Sequence, residues 1–142
     1  MFQNMTNYFR VKTIKILLAP NHFYLWAAQL WTLAVAVLCL LDGKSLPHLT
    51  AKGIDKYVHI TFHFVFALLW FVYFYKKNHR LVQTATGVFL GSFVFGILLE
   101  FLQAVATTTR KADALDVAAN CLGAIAALSI TVSYGYYVKS SR

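Results

Sequence analysis

Polar residues interrupt the chain only briefly, leaving four apolar runs of about twenty residues each, at roughly 23–41, 57–75, 81–106 and 114–137. A run of that length predicts a helix that crosses a bilayer. The predicted fold is therefore all-α: a polytopic membrane protein whose four-transmembrane-helix bundle occupies residues 23–138. Residues 139–142 read as a short basic tail.

The first 22 residues follow a different pattern. Arg10, Lys12 and Lys15 alternate with Phe9, Val11, Ile14, Leu17 and Leu18, and Pro20 and Asn21 end the pattern. On a helix, Val11, Ile14 and Leu18 share one face. This predicts a short interfacial helix on an anionic leaflet, with a disordered basic lead-in as the alternative. The run at 23–41 continues into Leu40, Leu41, Asp42, Gly43 and Lys44 with no small-x-small cleavage site, so it is expected to be retained.

Two runs carry small residues. In the third, Gly87 and Gly91 form a small-xxx-small pattern, which predicts that Gly91 lies against another helix. In the fourth, Ala118, Ala119, Gly123, Ala124, Ala126 and Ala127 predict close helix packing.

Composition agrees with a membrane protein: 59% of residues are hydrophobic and 13% are charged. The net charge of +8 would point to nucleic acid in a soluble protein. Here the basic residues cluster at the ends of the runs, so they read as a topology signal and no nucleic-acid partner is expected. Eight of them (Arg10, Lys12, Lys15, Lys76, Lys77, Arg80, Lys139 and Arg142) fall on one side of a four-span arrangement. Five (Lys44, Lys52, Lys56, Arg110 and Lys111) fall on the other. The positive-inside rule then predicts a cytoplasmic-membrane protein with both termini in the cytoplasm. Cys39 and Cys121 lie in the first and last runs and read as small hydrophobes rather than a disulfide framework.

The chain has five acidic residues, and three of them, Glu100, Asp113 and Asp116, fall within 24 residues, 100–123. An acid inside an apolar helix costs about 2.5–3.5 kcal/mol at the bilayer centre on insertion scales. Helical spacing puts Glu100 and Gln103 on one face, Asp116 and Asn120 on another, and Asp55, His59 and His63 on a third. At 1.5 Å rise per residue these faces reach matching depths. The expectation is one inward-facing polar cluster with Asp55, Lys56 and Arg110 at its rim. The bland alternative is that these groups only hydrogen-bond one another and lock the helices together. His59, His63, Glu100 and Asp116 could compose a two-His carboxylate metal set. Ile60, Thr61 and Phe62 rule out a His-Glu-x-x-His motif, and no metal or cofactor is expected. The sequence also lacks a Gly-x-Ser-x-Gly elbow and a phosphate-cradling glycine loop.

The pattern Asp55-Lys56-x-x-His59, Glu100-x-x-Gln103, Arg110, Asp116-x-x-x-Asn120-x-x-Gly123 resembles the VanZ-like membrane family, named for a teicoplanin-resistance accessory protein. The resemblance runs from about Ser45 to Leu128. The segment 104–109 lacks the proline that members often carry there, and His63 is not part of the pattern. The resemblance implies a small helical bundle working in the bacterial cell envelope, with a link to lipoglycopeptide resistance. The ligand-binding residues it implies are Asp55, Lys56, His59, Glu100, Gln103, Arg110, Asp116 and Asn120.

Two functions remain open. One is a binder of a lipid-linked envelope precursor or a lipoglycopeptide. The other is a membrane-embedded enzyme acting on such a lipid, with Glu100 or His59 as general base. A proton-coupled solute carrier is a third reading, but four spans without a visible internal repeat weigh against it.

Overall fold

The computed structural model describes residues 20–40, 54–106 and 113–141. They form four α-helices: α1 (Asn21–Leu40), α2 (Ile54–Asn78), α3 (Leu81–Ala106) and α4 (Ala114–Ser140). No strand occurs among the described residues, and all four helices are long and apolar enough to cross a membrane. At 1.5 Å per residue, 20 to 27 residues span roughly 30–40 Å, enough for a hydrocarbon core. The protein is thus an all-α, multi-pass membrane protein. Its outward surface is apolar, with Trp26, Leu33, Val94 and Leu98 all exposed to where lipid lies.

Local chemistry sets the helix ends. Proline at position 20 precedes α1, and its carbonyl accepts from the Phe23 N–H at 2.9 Å. Asn21 and His22 therefore belong to the first helix; the rest of the basic segment, with its expected interfacial helix, lies outside the described residues. α2 extends three residues beyond its apolar run at each end. Asp55 in its first turn and Lys76 and Lys77 in its last complement the helix dipole, and long basic side chains can reach past the apolar zone. His79 closes α2 with a left-handed φ of 55° and donates its N–H to the Tyr75 carbonyl at 2.8 Å. Histidine is among the residues that tolerate this conformation. Asp113 caps α4, its carboxylate accepting from the Leu115 N–H at 2.8 Å.

The helices run up, down, up and down. α2 is central and packs on the other three, whereas α1 and α4 do not pack on each other. The most intimate pair is α2 with α4, which run parallel. The small residues of α4 make this possible. Ala124 and Ala127 are fully buried and join Ala67, Phe71, Val88 and Leu128 in one core cluster. At Gly123 the two backbones nearly touch: a Cβ there would overlap the Ile60 carbonyl oxygen and sit 3.0 Å from the Phe64 nitrogen. Val35, Cys39 and Leu99 form a second cluster between α1 and α3. Two indoles tie α1 to α2, Trp31 donating to the Phe62 carbonyl at 3.0 Å and Trp70 to the Thr32 hydroxyl at 3.1 Å.

The small residues of α3 behave differently from expectation. Gly87 and Gly91 are exposed, and a Cβ at either would meet nothing within 4 Å. The glycine of α3 that packs closely is Gly96, whose added Cβ would lie 2.9 Å from Asn120 Nδ2 and 3.3 Å from His63 Cε1. The small-xxx-small spacing identified a smooth edge but not the side facing the bundle.

These contrasts give a paired prediction. Gly123→Ala should force α2 and α4 apart and cost about 1–3 kcal/mol, the range for overpacking a tight site. Gly91→Ala should be neutral or slightly stabilising, because alanine is the better helix former. Thermal unfolding in detergent measures both; a tolerated Gly123→Ala would contradict the close crossing.

Candidate functional site

The C-terminal ends of α1 and α3 meet the N-terminal ends of α2 and α4 at one end of the bundle. Four of the chain's five acidic residues, Asp55, Glu100, Asp113 and Asp116, gather there. α2 supplies Lys56 and His59 from its first two turns. α3 supplies Glu100 from two turns before its end. α4 supplies its cap Asp113, then Asp116 and Asn120 on one face.

The outer layer is built on Lys56. Its ammonium lies 2.9 Å from Asp116 Oδ1, 3.1 Å from Asp113 Oδ2 and 3.4 Å from Asp55 Oδ2. Such solvent-screened pairs contribute little to stability by themselves. Their importance is positional, because they fix the first turn of α2 against the first turn of α4. Asp55 is half exposed and touches the cluster only through Lys56.

The inner layer is buried. His59 and Glu100 side chains are each 5% exposed, and Asp116 is 13% exposed. His59 Nδ1 is 3.0 Å from Asn120 Oδ1. Asn120 Oδ1 accepts from an Nδ1–H, which leaves Nε2 turned toward the two carboxylates. Asp116 Oδ2 stands 3.7 Å from Nε2 and Glu100 Oε1 stands 4.0 Å from it. Glu100 Oε2 accepts from the Asp113 backbone N–H at 3.2 Å, one of the donors that the start of a helix leaves unused. Glu100 Oε1 is buried and has no hydrogen-bond partner among the described residues.

One turn deeper on α2, His63 pairs through Nδ1 with the Ser92 hydroxyl at 2.7 Å. Its ring lies 5.9 Å from both Phe66 and Phe95, outside the carboxylate cluster.

The structure thus joins His59, Glu100, Asp116 and Asn120, with Lys56 above them and Asp55 at the rim. Gln103 departs from the expected face. Its amide donates to the Cys39 carbonyl at 2.7 Å, tying α3 to α1 instead of lining the cluster. Three residues along a helix is a rotation of about 300°, enough to send Glu100 and Gln103 to different neighbours. Arg110 lies outside the described residues. Sequence reasoning missed Asp113 as part of the site, and Ser92 and Gly96 as the residues of α3 packed against His63 and Asn120 beside it. Asp113 was legible as a cap residue just before the fourth run. Ser92 and Gly96 were legible as steps of four back from Glu100. A cleft of about 670 Å³, lined by Phe74, Lys77, Arg80 and Gly87 among others, lies at the opposite end, near the 79–80 turn.

Fold and site together define a class: a four-span helical membrane protein with a buried imidazole–carboxylate cluster at one end. Comparison of the chain with known protein families, curated proteins and solved structures finds no match.

Asp113 supplies a pH test. Its carboxyl sits below the ordinary value of 3.8, first because the Leu115 N–H donates to it and then because the Lys56 ammonium does. A depressed carboxyl contributes stability above its unfolded value and loses it as pH falls through the lower folded value. Thermal stability in detergent should therefore decline as pH drops below about 4. Asp113→Asn, which can still cap the helix, should flatten that acid limb. An unchanged limb would show that Asp113 carries no such linkage.

Proposed function

We propose that the chain is a VanZ-like protein of the bacterial cell envelope, embedded in the cytoplasmic membrane with both termini in the cytoplasm. Its polar cluster engages the head of a lipid-linked precursor or a lipoglycopeptide in the outer leaflet. The spacing of Asp55, Lys56, His59, Glu100, Asp116, Asn120 and Gly123 supports the family reading. The excess of basic residues at the other end of the spans supports the orientation.

One observation carries the binding role: Glu100 Oε1 is buried 4.0 Å from His59 Nε2 with no hydrogen-bond partner among the described residues. A strut that served only to join helices would have that oxygen satisfied, because an unmet buried acceptor costs about 1–3 kcal/mol. Lys56 is already surrounded by carboxylates, so it is poorly placed to grip a phosphate by itself. The groups that suit the cluster directly are donors, such as the hydroxyls, amides or ammonium groups of a sugar–peptide head.

A second reading, an enzyme acting on an envelope lipid, is favoured by the His59–Asn120 contact. A neutral imidazole held through Nδ1 presents Nε2 as a general base.

Glu100→Gln separates these roles from a strut. Glutamine keeps the shape and one acceptor but loses the charge. The variant should insert and fold, yet lose its effect on lipoglycopeptide susceptibility in a sensitised host. A folded variant with full effect overturns the proposal. Consumption of the lipid by purified protein distinguishes the enzyme from the binder.

A further inference from the structure

We propose that His59, Glu100 and Asp116 form a binding site for one divalent transition-metal cation, Zn²⁺ or Mn²⁺. The sequence alone gave no expectation of a metal. The inference comes from how the three side chains divide their polar atoms.

Each has two such atoms, one taken by a neighbour and one turned inward. Glu100 Oε2 accepts from the Asp113 N–H, and Oε1 has no hydrogen-bond partner among the described residues. His59 Nδ1 is held by Asn120 Oδ1. Asp116 Oδ1 is held by the Lys56 ammonium. The remaining atoms are Glu100 Oε1, His59 Nε2 and Asp116 Oδ2. Nε2 stands 4.0 Å from the first oxygen and 3.7 Å from the second. One ligand atom from each residue falls within 4.8 Å of the others.

These separations exceed direct hydrogen bonds, which would draw the atoms to about 2.7–3.2 Å. They are close to what a central ion needs. With bonds of about 2.0–2.2 Å in tetrahedral geometry, donor atoms sit about 3.4 Å apart, so the two separations from His59 Nε2, 3.7 and 4.0 Å, would close by about half an ångström.

Charge is compatible with the same site. An imidazole lone pair and two carboxylate oxygens facing one buried point repel one another unless something positive, a metal ion or a proton on His59 Nε2, lies between them. Lys56 is engaged on the outer side of Asp116 and leaves that point unfilled. The outer partners also match what metal ligands require: Asn120 fixes the ring of His59, while Lys56 and the Asp113 N–H orient the two carboxylates. One nitrogen and two oxygens suit Zn²⁺ or Mn²⁺ better than the all-oxygen cations Ca²⁺ and Mg²⁺. His63 lies outside the set because Ser92 holds it one turn deeper.

The metal deepens the proposed role of the same cluster. Three protein ligands leave a coordination position open, and Asp116, the most exposed of the three, marks the side from which it is reached. A bound cation would let this acidic cluster hold a phosphate or carboxylate oxygen of a head group, which Lys56 alone cannot. This extension rests on the proposed function, but metal binding itself is measured without lipid.

The test uses the purified full chain in detergent, stripped with a chelator and titrated calorimetrically with Zn²⁺ and Mn²⁺. One ion should bind per chain. Asp116→Asn and His59→Gln should each weaken it at least tenfold, and Asn120→Ala should weaken it about 10–100-fold, as expected for loss of an outer-shell partner. His79→Gln, at the opposite end, should bind like wild type. Pulsed electron paramagnetic resonance of the Mn²⁺-loaded wild type should show coupling to one imidazole nitrogen, a readout that no misfolded variant can confuse. Absence of stoichiometric binding, no nitrogen coupling, or wild-type affinity in Asp116→Asn overturns the site. A metal bound to wild type alongside a fully effective Glu100→Gln would remove the head-group reading and leave the metal site standing.

Discussion

A carboxyl group inside an apolar helix must be answered by its neighbours, and Glu100 imposes that requirement on this bundle. A charge at the bilayer centre costs about 2.5–3.5 kcal/mol on insertion scales, and Glu100, though nearer the end of its span, is still buried away from water. One oxygen is answered by the start of α4, through the Asp113 N–H. The other faces His59, whose ring Asn120 holds. Gly96, one turn before Glu100, leaves the space in which Asn120 and His63 sit. Glu100 therefore goes with a facing imidazole on α2, a helix start on α4 and a glycine on its own helix.

The parallel pairing of α2 and α4 makes those answers geometrically possible. Two parallel helices bring their N-terminal turns to the same level, so Lys56 reaches Asp113 and Asp116 together. The backbones can approach only because Gly123 carries no side chain at the crossing and Ala124 and Ala127 carry small ones. In lipid, where apolar surface gains little from leaving the solvent, such van der Waals contact is a main force between helices. Packing and polar chemistry are thus coupled: the smooth face of α4 sets the distance, and the polar end uses it.

Much of this was legible in the sequence. Length and hydropathy located all four helices, because a spanning segment must cover a fixed thickness of hydrocarbon. Helical period gathered His59, His63, Glu100, Asp116 and Asn120 at one end but set His63 level with Asn120, whereas the structure pairs His59 with Asn120 and His63 with Ser92. What stayed hidden depends on rotation about the helix axis. Gln103 shares a helix with Glu100 yet faces α1, and Gly91 shares a spacing motif with Gly87 yet faces outward. A linear pattern gives relative angles along one helix, whereas the absolute angle is set by which neighbour that helix meets. The ends of α2 were underestimated for another reason: polar residues can continue a helix while their side chains reach for water.

The central claim is that three unused ligand atoms converge on one point at the end of the bundle, with His59 held there by Asn120. Side-chain ¹⁵N nuclear magnetic resonance of histidine-labelled protein, with and without Zn²⁺, tests it most directly. His59 is expected to keep its proton on Nδ1, with Zn²⁺ moving the Nε2 resonance much further than that of Nδ1. A proton found on Nε2 under both conditions, with no response to Zn²⁺, would contradict it.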